Sequence, residues 1–155
     1  MLRKAKYRMK SQRGAVLVEM VLVTPILLIM MLATAEVTRA FIDHNTLTKA
    51  VRNGARYVAA NALFGTTGVV NVTANLRTEA QNLVVYGNTG GTGTPVLPGL
   101  TPANITITDV GTNNVQVSAT HSISGLLGPV LQSFTGGSDI SLLHDLQATV
   151  TMRAL

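Results

Sequence analysis

The chain opens polar and basic, then turns apolar for twenty-one residues from Ala15 to Ala35 (AVLVEMVLVTPILLIMMLATA), with Glu19 the only charge in the run. At about 1.5 Å per residue this makes about 31 Å of helix, the thickness of the hydrocarbon core of a bilayer. Pro25 removes one backbone hydrogen bond, which Thr24 and neighbouring helices compensate, so the pattern predicts a kink rather than a break. Apolar and small residues keep a helical period well past Ala35. Ala33, Val37, Ala40, His44, Leu47, Val51, Gly54, Val58 and Ala62 recur at spacings of three and four and share one stripe. One helix is therefore predicted from Ala15 to about Leu63, where Gly65 and Gly68 supply stop signals. Its length, on the order of 70 Å, exceeds the width of a small domain, so the membrane half must find partners elsewhere. The small residues of the stripe permit close approach, either to the chain's own domain or to a helix of another subunit.

The rest of the chain alternates between two periods. Val72 to Tyr86 (VTANLRTEAQNLVVY) places Val72, Leu76, Ala80, Leu83 and Val84 at helical spacing, with Asn71 or Thr73 as N-cap and Gly87 as stop. Gly87 to Gly99 (GNTGGTGTPVLPG) is a loop by composition, serving either as a connection or as a contact surface for a partner. Asn104 to Val110 and Val115 to Ile123 have period two and are separated by Gly111-Thr112-Asn113-Asn114, which predicts a β-hairpin. Leu143 to Arg153 alternates again, with Leu146, Ala148, Val150 and Met152 on the face turned to the core. Gly125 to Phe134 is apolar but broken by Gly128-Pro129, which suits a short helix or a hydrophobic loop. The expected fold class is α+β: a long N-terminal helix, then a head of about ninety residues with a short helix and a roughly three-stranded antiparallel sheet.

Charge changes the picture at the N-terminus. The formal net charge of +5 suggests a polyanionic partner until its distribution is read. Arg3, Lys4, Lys6, Arg8, Lys10 and Arg13 supply six of the twelve basic residues before Ala15, with no acid among them. The remainder holds six basic and seven acidic residues, a net of −1. The basicity is thus a topological signal that keeps the N-terminus cytoplasmic, and with no basic-aromatic patch nucleic acid is excluded as the partner.

Two cleavage readings compete. Ala33-Thr34-Ala35 fits a secretory signal-peptidase site, which would release a soluble module beginning at Glu36. Against it stand Glu19, an acid inside the inserting segment, and the helical period, which a cut after Ala35 would sever. The alternative site is the junction Arg13-Gly14-Ala15, where a basic leader meets the apolar run through one small residue. A cut there frees an amine on Ala15 four residues before Glu19, on the same face of the first helical turns. That pairing, within one chain or between neighbours, offsets the desolvation of a membrane carboxylate and makes Glu19 a register device. A third reading leaves the chain unprocessed, as a single-pass membrane protein with an extracytoplasmic scaffold or receptor domain.

Enzyme chemistry finds no foothold in the residues. His44, His121 and His144 lie on three separate segments without metal-ligand spacing, and no cysteine is present. No phosphate loop and no nucleophile elbow occurs, so no cofactor and no metal is expected.

Gly14 followed by an apolar helix with a glutamate five residues on resembles the processing site of type IV prepilins and pseudopilins. The run RGAVLVEMVLVTPILLIMMLATAEVTRA, the later KAVRNGARYVAA and the terminal DLQATVTMR together resemble the TadE-like pseudopilins of tight-adherence (Flp) pilus systems. Met20 departs from the aromatic residue these proteins often carry there. The resemblance implies cleavage between Gly14 and Ala15 by a prepilin peptidase. It also implies a bacterial inner-membrane location with a periplasmic head, partnership with other pseudopilins or pilins and an inner-membrane assembly platform, and a role in pilus biogenesis and adhesion. The organisation it implies is a leader at 1–14, a transmembrane segment at 15–35, a helical extension at 36–64 and a periplasmic head at 65–155.

Overall fold

The computed structural model describes residues 13–63, 70–123, 125, 130–131, 140–141 and 144–154. Leader residues 1–12, the glycines at 65 and 68, and most of the 125–134 run lie outside the described residues. The chain divides into two compact units, one up to Glu36 and one from Val37 on.

The first unit is the apolar part of helix α1, whose full span is Arg13–Asn61. The helix continues through Pro25 and across Ala35 without interruption. Thr34 Oγ1 donates to the Met30 carbonyl at 2.8 Å, so this hydroxyl is satisfied inside the helix.

The second unit is an α+β layer structure. From Leu47 onward α1 buries Leu47, Ala50, Val51, Gly54, Ala55, Val58 and Ala59, and Ala62 is buried just past its end. The helix ends two residues earlier than the glycine pattern suggests, and Asn61 Nδ2 closes its last turn by donating to the Tyr57 carbonyl at 2.8 Å. The chain then reverses, with Asn71 N–H bonded to the Ala62 carbonyl at 2.7 Å.

Helix α2 spans Ala74–Tyr86. Of the two N-caps the sequence offers, Thr73 is used, and its hydroxyl accepts from Leu76 N–H at 3.2 Å. Gly87 ends the helix in the left-handed region at φ 74°, where a side chain would be strained. Val84 is buried as the stripe implies, but at the C-terminal end Val85 is buried too while Leu83 is only partly so. The reason lies in the following loop, which folds back so that Val96 N–H bonds the Val85 carbonyl at 2.8 Å and Leu97 and Leu100 enter the core.

After a single 3₁₀ turn at Pro102–Asn104 come β1 (Ile105–Asp109) and β2 (Asn114–Ile123), paired antiparallel from Ile105↔Ala119 to Asp109↔Val115. The expected hairpin is present. Its turn places Thr112 at φ 53° and Asn113 at φ 60°, and Asp109 Oδ1 accepts from Gly111 N–H at 2.8 Å. Short strands β3 (Val130–Leu131) and β4 (Ile140–Ser141) pair with each other in a separate two-stranded sheet. At Val130–Leu131 the sequence suggests a short helix or loop; a β-branched residue directly after Pro129, which cannot donate to a helix, instead joins a strand pair. The last strand, β5 (His144–Arg153), pairs antiparallel with β2, giving the order β1-β2-β5.

One face of this sheet is apolar and covered. Ile105, Ile107, Val115, Val117, Ala119 and Ala148 are buried, with Leu146, Val150 and Met152 packed against them. The other face carries Thr, Ser and Gln in register, with Thr149 Oγ1 donating to Ser118 Oγ at 3.0 Å and Gln116 Nε2 to Thr151 Oγ1 at 3.3 Å.

Candidate processing and assembly site

The residues singled out for processing stand at the start of α1. Arg13, the first described residue, is already helical, Gly14 follows, and a Cβ built on Gly14 would meet nothing within 4 Å. Gly14, Ala15 and Glu19 are all exposed. Ala15 and Glu19 are separated by four residues of regular helix and so lie one above the other on the same face. Every residue from Gly14 to Met31 is exposed, including Leu17, Met20, Val21, Leu28 and Met31. Eighteen consecutive exposed residues with a single carboxylate form an unusually large apolar surface, consistent with a membrane anchor. Among the described residues, Gly14–Asn61 is the helix long and apolar enough to cross a membrane.

Around Pro25 the helix carries a shallow apolar notch lined by Leu17, Met20, Val21, Thr24, Pro25 and Leu28. The ring that removes one backbone donor also leaves the carbonyl four residues back, that of Val21, without its usual partner.

The stripe read from periodicity divides by environment. Leu47, Val51, Gly54 and Val58 are buried under α2 and the sheet, while Ala33 and Val37 are exposed and Ala40 is half-buried. At Gly54 the missing side chain has a direct consequence: a Cβ there would collide with Val84 Cγ2 of α2. The two helices therefore approach closely at this point.

Several residues that hold the second unit together carried no legible sequence signal. Tyr57 Oη donates to Glu79 Oε2 at 2.8 Å, tying α1 to α2. This hydrogen bond, aided by burial and by the carboxylate's charge, raises the Tyr57 phenol above its ordinary value. From α2, Arg77 Nη1 donates to the Ile107 carbonyl and Gln81 Nε2 to the Ile105 carbonyl, both at 3.0 Å. The outer edge of β1 is thereby capped by side chains. A polar i,i+4 pair on an exposed helix face looks like ordinary solvated surface, and only the fold reveals what lies opposite.

His44 is exposed on α1, while His121, buried in β2, lies two register positions from His144 at the start of the neighbouring strand β5. Among the described residues no three His, Asp or Glu side chains gather where a metal would bind.

Comparison with known proteins bears on this same segment. The family model described as TadE-like protein matches residues 14–56, from the proposed cleavage glycine through the head-packing part of α1. No curated protein and no solved structure matches the chain. The likeness to that family is thus confined to helix α1, over residues 14–56.

Proposed function

We propose, from a chain whose residues 14–56 are TadE-like, that the protein is a minor pseudopilin required for assembly of tight-adherence pili and matured by a prepilin peptidase. The observation that carries this reading is the coincidence of three features at one place: a basic leader, the start of the family match at Gly14, and an exposed apolar helix with its only early charge at Glu19. Gly14 has no side chain, and a Cβ there would meet nothing within 4 Å, so the bond after it is sterically open to a protease that binds extended chain. Gly14 and Ala15, both small, offer no steric obstacle at the bond.

Cleavage reverses the electrostatics of the segment. Six positive charges leave with the leader, and a new ammonium appears at Ala15, one turn from Glu19. Inside a bilayer or a bundle of apolar helices an unpaired carboxylate is strongly disfavoured, while an ammonium partner from the same or a neighbouring subunit restores balance. Glu19 then specifies axial register, as a single polar group does in a helical bundle. In this reading exposed Ala33 and half-buried Ala40 of the small-residue stripe face other pseudopilins or pilins, and Pro25 gives the membrane segment its bend. The head faces the periplasm, anchored through α1 in the inner membrane beside the assembly platform.

Continuity of α1 across Ala35 and Glu36 supports retention of the anchor over release as a secreted module. The test is N-terminal sequencing of the membrane-extracted chain with and without the peptidase. The expected start is Ala15 when the enzyme is present and Met1 when it is absent. A start at Met1 in both cases, or at Glu36, would overturn the proposal. Glu19→Val is expected to be processed normally yet to abolish recovery of sheared pili, separating the role of the glutamate from that of the glycine.

A further inference from the structure

The exposed apolar surface of α1 does not stop where the twenty-one-residue run stops. In the first turns of the second unit Val37, Phe41 and Ile42 are 71, 67 and 58% exposed, and full burial against the head begins only at Leu47. These three side chains spread over about 140° of the helix circumference, wider than the seam a single partner helix covers. A fluid that surrounds the helix fits this distribution better than one packed neighbour does. Length agrees: from Ala15 to Ile42 the helix rises about 42 Å, which is the hydrocarbon core plus its headgroup regions rather than the core alone. Phe41 stands where the polar and apolar zones meet, its ring extending the apolar surface to that depth. Interleaved with it, Arg39 and Asp43 form a weak surface pair at 3.9 Å, and Arg39 has a stem long enough to keep its charge in the headgroup zone.

Charge points the same way. Lys49, Arg52 and Arg56 are exposed and follow at spacings of three and four on one face of the helix. Side chains on an α-helix lean toward its N-terminus, so with the apolar end embedded these cations lean back toward the membrane. Lys49 begins about 10 Å beyond Ile42, within reach of lipid phosphates.

We propose that Val37, Phe41 and Ile42 form an interfacial collar seated in the phospholipid headgroup region on the head side of the membrane, with Lys49 and Arg52 directed to its phosphates. The boundary between membrane and water then lies near Phe41, about two turns beyond Ala35. The collar rests on the reading of α1 as a membrane anchor and gives that anchor its depth.

The chain contains no tryptophan, so single reporters are available without background. Met31→Trp, Phe41→Trp and Ala60→Trp, made one at a time, place an indole at an expected core, interfacial and aqueous depth, all at exposed positions. The full chain is reconstituted into vesicles of phosphatidylethanolamine and phosphatidylglycerol carrying lipids brominated near either the glycerol or the methyl end of the acyl chain. The indole of Met31→Trp is expected to be quenched most by the deep bromines. That of Phe41→Trp is expected to be quenched most by the shallow ones, with emission to the blue of the Ala60→Trp variant, whose own indole neither bromine reaches. Quenching in Met31→Trp without quenching in Phe41→Trp, whether the latter emits as in water or as in a protein contact, sinks the collar while leaving the anchor in place. Quenching in neither of these two variants removes the anchor itself, and the collar with it.

Discussion

Gly54 shows how much a single missing methyl decides. Replacing a helical glycine with alanine ordinarily stabilises by about 1 kcal/mol through helix propensity. Here the added Cβ would run into Val84 Cγ2, and a β-branched side chain on a helix has almost no alternative rotamer with which to yield. Overpacking costs about 1–3 kcal/mol, so Gly54→Ala is expected to be destabilising by about 1 kcal/mol net in denaturant unfolding of the detergent-solubilised chain. Val84→Ala in the same chain should relieve the clash, so that the double variant is more stable than the sum of the single effects predicts. The spacing of the stripe places Gly54 on the packing face. It does not reveal which residue of another element stands opposite, because that depends on the crossing of two helices.

Tyr57 belongs to the same scale. Its hydroxyl donates to Glu79, and the phenol is held above its ordinary value of about 10 by that bond first, then by burial and by the nearby negative charge. A group whose folded-state value is raised gives stability that is complete below the unfolded value and is lost as pH climbs through the folded one. The contribution of Tyr57 should therefore be constant through neutral pH and fade only above about pH 10. Tyr57→Phe is expected to lower stability by about 1 kcal/mol at about pH 7, with the difference from the parent shrinking above about pH 10. An equal gap at about pH 7 and about pH 11 would show that the hydroxyl bond is not its source.

Among the elements, the β1–β2 hairpin was legible because its two runs alternate cleanly around a turn-forming tetrapeptide. The conformation of the turn was not. Thr112 and Asn113 occupy the left-handed region at φ 53° and 60°, and for threonine, branched at Cβ, this conformation is strained by about 1–2 kcal/mol. Asparagine tolerates it better, so Thr112→Asn is expected to stabilise the fold by about 1 kcal/mol, read as a higher urea midpoint with the cooperativity unchanged. Helix α2 was read from its stripe and caps, yet Val85 is buried as well, where the glycine-rich loop returns Val96 N–H to the Val85 carbonyl. Composition alone describes that loop as a connection; it is pinned at several points, among them Asn88 Nδ2 to the Thr92 carbonyl at 2.7 Å. Strand edges divide likewise. On β1 the outward carbonyls are covered by Arg77 and Gln81, a device that period-two counting has no means to detect.

For the molecule as a whole, the segment that resembles a known family was easier to read than the fold, because membrane length, charge asymmetry and the Gly14 to Glu19 spacing are all properties of the linear chain. The second unit owes its core to contacts between distant segments. Leu47, Val51 and Val58 of α1 are completely covered and belong to one core cluster with Val84 and Val85 of α2, Leu100 of the loop, and Ile107, Val115 and Val117 of the sheet. The head-side part of α1 is thus structural material of the head and not a stalk beneath it. A consequence follows for truncation. A chain beginning at Val37 keeps every one of these residues and removes the exposed span from Val16 to Met31, so it is expected to be water-soluble and to unfold cooperatively. A chain beginning at Val70 keeps the whole β1-β2-β5 sheet and α2 but strips one side of the core. Each large apolar side chain lost there is worth about 1.5–3 kcal/mol of burial, and three such losses approach the entire stability of a domain this small. That shorter chain is expected to lack a cooperative transition and to bind hydrophobic dyes, as monitored by circular dichroism and dye fluorescence during urea titration. If it instead folds with the stability of the Val37 chain, α1 contributes nothing to the core, and the covered stripe from Leu47 to Ala62 must be explained by some other contact.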